Sequence, residues 1–207
     1  MFRPCWLGPL VQMTRGARVA VVGMGHELRG DDAAGVAVVR ALRAAAIGNE
    51  RLLTIDAGPA PENQIGPLLR FKPGVILFVD AAQMDEAPGT VRWVPWGEVD
   101  GAGVSTHTLS PQVLARFLMC ELGCEVLLLG IQPASCAVGA PLSPAVARAV
   151  HNIARSLSST LSCDHSSDGP QDVRLEQESW LCRQVGRNRS DSAIQTAEAS
   201  VQPTDAI

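Results

Sequence analysis

The chain has 207 residues, of which 18% are charged and 46% hydrophobic, and its formal net charge is -4. This length suits one domain plus tails, the lack of a basic excess disfavours a nucleic-acid binder, and no apolar run approaches the ~20 residues that span a bilayer. The six cysteines show no framework spacing, which favours reduced thiols in a cytoplasmic protein.

Between residues 17 and 161 the chain alternates apolar runs of strand length with helical segments. The predicted strands lie at residues 19–22, 52–58, 74–80, 90–96 and 125–131. The predicted helices run from the Asp31-Asp32 pair to about residue 48, and over residues 64–71, 110–122 and 143–161. This order predicts an α/β fold, a single-domain three-layer αβα sandwich with a five-stranded, mostly parallel twisted sheet. Pro95 suits an edge strand, which we expect to be antiparallel.

Ser-Pro pairs open the last two predicted helices. Ser110 and Ser143 are expected to be N-caps, and the proline after each occupies the first helical position, where its missing N–H costs nothing.

Both ends of the chain are predicted to be disordered. Residues 1–16 form a short apolar extension interrupted by Pro4, Gly8 and Pro9, and residues 162–207 are rich in Ser, Asp, Gln, Glu and Thr. The folded domain is therefore expected to span residues 17–161.

Polar side chains stand where predicted strands end. Asp31 and Asp32 follow the first strand, Asp80 ends the third, and His107 precedes a helix. Either Asp31 or Asp32 can cap the next helix, and one is enough, which leaves the other at the sheet edge where open α/β folds bind ligands. Asp32, Asp80 and His107 can converge there, and two carboxylates with an imidazole suit a borderline divalent metal with open positions.

Each of these three residues also has a structural alternative: Asp32 as a helix cap, Asp80 as a turn residue at a strand end, and His107 as a loop histidine without a role. A nucleotide site is a further alternative, since Gly23 and Gly25 follow a strand and Asp56 ends the next one. It is disfavoured because Leu28 takes the place of the third glycine and two carboxylates would repel a pyrophosphate.

The chain resembles the [NiFe]-hydrogenase maturation endopeptidases over about residues 17–160. The matching motifs, in the family's order, are Gly23-Met24-Gly25, Gly30-Asp31-Asp32-Ala33-Ala34-Gly35, Ala60-Pro61-Glu62-Asn63, Val79-Asp80-Ala81, Pro88-Gly89, Thr106-His107 and Gly130-Ile131-Gln132-Pro133. The Ala60–Asn63 and Gly130–Pro133 motifs look most like the branch that processes the large subunit of formate-hydrogenlyase-type hydrogenase.

The resemblance implies an endopeptidase that recognises nickel in the precursor of the hydrogenase large subunit and then removes its C-terminal extension. It further implies that Asp32, Asp80 and His107 are both the nickel ligands and the catalytic residues. The metal belongs to the substrate, so the free protein, expected to be a monomer, is metal-free or holds a surrogate divalent cation. Cleavage would use either metal polarisation of the scissile carbonyl or water, or a carboxylate as general base.

Two points are left open by the sequence. The family usually has asparagine where this chain has His26, which could ligate metal, hydrogen-bond its loop or face solvent. A non-catalytic nickel-binding scaffold or chaperone for the same precursor would use the same three ligands, so it stands as the alternative function.

Overall fold

The computed structural model describes residues 5–14, 16–45, 49–96 and 110–162. The strands are β1 (Val19–Met24), β2 (Leu52–Gly58), β3 (Val75–Ala81), β4 (Val91–Trp93) and β5 (Glu125–Ile131). The helices are α1 (Leu7–Met13), α2 (Ala34–Ala45), α3 (Ile65–Phe71), α4 (Pro111–Leu122) and α5 (Pro144–Ser162). Short 3₁₀ turns precede α2 (Gly30–Ala33) and α3 (Pro61–Gln64).

The strands form a five-stranded sheet in the order β2-β1-β3-β5-β4. The pairs β1–β2, β1–β3 and β3–β5 are parallel, and β4 pairs antiparallel with β5 at the edge. The predicted mostly parallel sheet and its antiparallel edge strand are therefore confirmed.

Helices cover both faces of the sheet because the buried strands are apolar on both sides. Alternate residues of β3 point to opposite faces: Leu77 packs with α1, α2 and α5, whereas Ile76 and Phe78 pack with α3 and α4. The result is the three-layer αβα arrangement that the strand and helix order predicts.

Within the N-terminal segment, for which the sequence predicts disorder over residues 1–16, the described residues 5–14 are structured. Trp6, Leu7 and Leu10 are buried, and the ring N–H of Trp93 on β4 donates to the carbonyl of Trp6 at 3.1 Å. Their spacing gives α1 an apolar face despite Gly8 and Pro9, so this short helix is part of the core.

The Ser-Pro helix starts are confirmed, but only one serine acts as a side-chain cap. Ser143 Oγ accepts a hydrogen bond from the Val146 N–H at 3.4 Å. Ser110 takes the N-cap position of α4 without a side-chain cap bond.

The predicted disordered tail falls outside the described residues from residue 163 onward. Among the helices that the structure describes, none combines the length and apolar character needed to cross a membrane.

The strand order places a topological switch point beside β1. From β1 the chain moves outward to β2, then returns past β1 to form β3 on its other side. Open α/β sheets bind ligands at the carboxyl ends of the strands that border such a reversal. The loop after β1 and the end of β3 therefore meet where a ligand site is expected.

Candidate functional site

Glycines allow the loop after β1 to fold tightly against the end of the sheet. Gly25 has φ +114°, and a Cβ there would lie 1.7 Å from the Asp32 carbonyl oxygen and 3.6 Å from Asp80 Oδ1. A Cβ on Gly35 would lie 2.0 Å from the Val79 carbonyl oxygen. Only glycine at positions 25 and 35 lets the backbone come close enough to place Asp32 over the end of β3.

Asp32 is partly buried in the 3₁₀ turn before α2, and its Oδ2 accepts the backbone N–H of His26 at 2.8 Å. The predicted alternative that Asp31 or Asp32 caps its own helix is wrong. The residue at the cap position is Arg29, which makes no side-chain cap bond, and both aspartates lie inside the turn. Asp32 is held by the preceding loop instead.

Asp80 is partly buried near the end of β3, and its Oδ1 accepts the N–H of Ala81 at 2.8 Å. Burial raises the pKa of Asp80 from 3.8 to about 7, and the negative charge of Asp32 contributes to the rise. A Cβ on Gly25 would contact both the Asp32 backbone and Asp80 Oδ1, so the two aspartates are neighbours at this edge of the sheet. Their joint role in a functional site stays a prediction.

His107 lies outside the described residues, so its predicted place beside the two aspartates stays a prediction. Among the residues that are described, no group of three His, Cys, Asp or Glu side chains could hold a metal ion. His26 uses its ring: Nδ1 accepts the Leu28 N–H at 3.2 Å, which is the loop hydrogen bond considered from the sequence.

Asp31 joins two loops at the rim of the sheet, a role that the sequence does not predict. It is fully buried, and its carboxylate accepts the N–H groups of Ala134, Ser135 and Ser143 at 2.8, 3.1 and 2.6 Å. Burial alone would raise the pKa of Asp31, but these bonds, that of Ser143 foremost, outweigh it and lower the pKa. Asp31 thereby stays charged and holds the residue 134–143 loop beside Asp32.

Gln132, part of a motif singled out in the sequence, organises the loop after β3. It is buried, and its Oε1 accepts the Met84 and Glu86 N–H groups at 2.7 and 3.3 Å, while its amide donates to Gln83 Oε1 at 3.0 Å. One side chain therefore sets the path of the chain that leaves Asp80.

The two carboxylates have the ligand chemistry that a divalent cation requires. Burial and the neighbouring negative charge of Asp32 both disfavour the ionised form of Asp80 and raise its pKa. A divalent cation between them would offset both charges, and oxygen ligands leave positions open for further groups.

Comparison with known proteins decides the family. The family model described as hydrogenase maturation protease (HycI) matches residues 36–159. The chain belongs to the hydrogenase maturation protease family.

Two relatives illustrate the similarity within this family. The hydrogenase 3 maturation protease of Escherichia coli is 32% identical over 131 residues, which cover 63% of this chain and 82% of the relative. The crystal structure of the [NiFe] hydrogenase maturation protease HycI from Thermococcus kodakarensis matches with a TM-score of 0.68 and 27% identity, covering 75% of this chain and all (100%) of the other.

A third match gives the activity in its description. The solution structure of an endopeptidase HycI from Escherichia coli matches with a TM-score of 0.58 and 30% identity, covering 68% of this chain and 89% of the other. The maturation protease is therefore a peptidase, as the resemblance implies, and this favours the enzyme over the scaffold and over the nucleotide site.

Proposed function

We propose that this protease recognises nickel already inserted in the precursor of a [NiFe]-hydrogenase large subunit and then removes the C-terminal extension of that precursor. The observation that carries the proposal is the pairing of Asp32 and Asp80 at the switch point of the sheet, with the pKa of Asp80 raised to about 7. In a family of hydrogenase maturation proteases, a pair of neighbouring carboxylates suits a metal that arrives with the substrate.

The nickel site is completed by His107 in this proposal. Two carboxylates and one imidazole bind a borderline divalent ion without the thiolates that would retain it, so nickel stays with the precursor after cleavage. The free protease is then metal-free or carries a replaceable divalent cation.

The same three residues surround the scissile bond in this proposal. Nickel supplies a Lewis acid that polarises the scissile carbonyl or the attacking water. A carboxylate with a pKa of about 7 can also hold or release a proton near neutral pH, which is the property that a general acid or base requires. Recognition and cleavage therefore depend on one set of side chains.

The protease acts in the cytoplasm in this proposal, on a formate-hydrogenlyase-type hydrogenase. The cysteines that the structure describes, at positions 5, 120, 124 and 136, are free thiols, which suits a reducing compartment.

Cleavage of a nickel-loaded precursor by wild type and by three variants tests the proposed site. Asp32→Asn, Asp80→Asn and His107→Ala should each reduce the cleavage rate by at least about 100-fold, since loss of a metal ligand or of a catalytic group costs that much. Asp85→Asn and His151→Ala, which change exposed residues of the same types, should cleave at the wild-type rate. Full activity in any of the three site variants would exclude that residue from the site.

A further inference from the structure

Two apolar side chains are exposed beside the candidate site. Leu28 and Val138 are 66% and 79% exposed, more than any other large hydrophobic residue that the structure describes. They belong to different loops, residues 25–30 after β1 and residues 134–143 after β5. We call the surface formed by Leu28, Arg29 and Val138 the loop patch.

The loop patch is joined to Asp32 by consecutive hydrogen bonds. The His26 N–H donates to Asp32 at 2.8 Å, the Leu28 N–H donates to the His26 ring at 3.2 Å, and the Gly139 N–H donates to the Leu28 carbonyl at 2.7 Å. Val138 therefore stands next to Leu28, and both are anchored to the carboxylate loop.

The two loops are also tied together through their backbones and through Asp31. The Asp31 N–H donates to the Ser135 carbonyl at 3.0 Å, and a Cβ on Gly30 would lie 2.6 Å from the same oxygen. With the three N–H bonds to the buried Asp31 carboxylate, the backbone under the patch is held in place. The apolar side chains of Leu28 and Val138 are thus held side by side, and contiguous exposed apolar surface is a feature of interaction sites.

The first loop, residues 25–30, carries one acidic and one basic side chain. Glu27 shares Arg40 with Asp56. The exposed Arg29 makes no ion pair with any residue in the described part of the chain. The loop patch therefore combines apolar surface with one positive charge, which complements a polypeptide that has apolar side chains and an acidic group.

We propose that the loop patch is the docking surface for the substrate polypeptide, and that it holds a precursor segment with apolar side chains and an acidic group next to the scissile bond. An endopeptidase must hold its chain across the site, and the patch borders Asp32 directly. This inference rests on the proposed function, because the segment is taken to belong to the hydrogenase large-subunit precursor.

Steady-state cleavage of the nickel-loaded precursor by the full-length protease tests the docking surface. The double variant Leu28→Ser/Val138→Ser should raise KM by about tenfold or more, since two apolar contacts are lost, and change kcat less than about twofold. Arg29→Glu should raise KM similarly, and Arg29→Lys should restore most of the affinity. An unchanged KM in the double variant would overturn the proposal.

A matched control uses the other exposed apolar pair. Val113→Ser/Phe117→Ser on α4 removes comparable surface and should leave KM unchanged. An equal rise in KM in this control would show a general loss of apolar surface rather than docking at the loop patch, and would overturn the proposal.

Calorimetric binding of the same precursor separates failure of this inference from failure of the proposed function. A wild-type protein that binds the precursor but never shortens it contradicts the proposed function, while weaker binding by the loop-patch variants alone still supports the docking surface. Wild-type cleavage with equal binding by all variants contradicts the docking surface alone.

Discussion

Asp31 is a buried charge that holds together the loops at the edge of the sheet where the candidate site lies. A carboxylate taken out of water is costly unless hydrogen bonds replace its hydration. Here the replacement comes from three backbone N–H groups, one of which belongs to Ser143 at the start of α5. The two adjacent aspartates therefore have different roles. Asp31 holds the loops in place, and Asp32 lies near Asp80.

Asp31→Ala should lower the free energy of unfolding by about 3 kcal/mol, because buried donors to a charged acceptor lose their partner. Urea unfolding at neutral pH measures this change. Glu121→Ala, which removes an exposed carboxylate on α4, should change stability by less than about 0.5 kcal/mol. Equal stability of Asp31→Ala and wild type would contradict the assigned role.

Folding lowers the pKa of Asp31 but raises the pKa of Asp80. Its pKa rises from 3.8 to about 7 on folding, so the folded protein binds this proton more tightly than the unfolded chain. The contribution of Asp80 to the free energy of unfolding is therefore fully present below about pH 3.8, the pKa in the unfolded chain. It decreases as the pH rises, because the unfolded chain ionises first, and it is lost as the pH passes about 7, the pKa in the folded protein. The ionised form of Asp80 is therefore destabilising at neutral pH.

Asp80→Asn should make the metal-free protein more stable than wild type at pH 8, because asparagine keeps the oxygen that accepts the Ala81 N–H and removes the charge. The difference should be smaller at pH 5, where Asp80 is protonated in the folded state. Urea unfolding with a chelator at both pH values measures it. A difference in stability that does not change with pH would contradict the raised pKa.

The first turn of α2 is pressed against the ends of β1 and β3. A Cβ on Gly35 would lie 2.0 Å from the Val79 carbonyl and 2.6 Å from that of Met24. Contacts this short with backbone atoms cannot be relieved by rotating a side chain. The distance between helix and sheet, and with it the position of Asp32 over Asp80, depends on glycine at this position.

Gly35→Ala should destabilise the protein by roughly 1–3 kcal/mol through overpacking. It should also weaken cleavage, because α2 and the turn that carries Asp32 must move outward. Gly8→Ala is the matched control, since nothing lies within 4 Å of a Cβ there and alanine is the better helix former in α1. Thermal unfolding and a cleavage assay compare the two, and a harmless Gly35→Ala would contradict the tight packing.

At the scale of the whole molecule, local patterns predict most of the architecture. The apolar runs of β3 and β5 and the prolines that open α4 and α5 identify their elements because each signal lies within the element itself. Helix α1 is not predicted because its seven residues include Gly8 and Pro9, and its place in the core depends on contacts with residues distant in the sequence, such as Trp93.

For the candidate site, too, local sequence patterns predict one part and miss another. Strand ends at a switch point predict the meeting of Asp32 and Asp80. The partners of Asp31 lie 103 to 112 residues away along the chain, so a local pattern suggests a helix cap and misses the tertiary bonds.

In the proposed function, nickel in the substrate permits cleavage. The most direct measurement is the mass of nickel-loaded and nickel-free large-subunit precursor after incubation with the wild-type protease. The nickel-loaded precursor should lose its C-terminal segment while the nickel-free precursor keeps its full mass. Equal shortening of both precursors would show that cleavage does not depend on nickel in the substrate, and shortening of neither would contradict the proposed function.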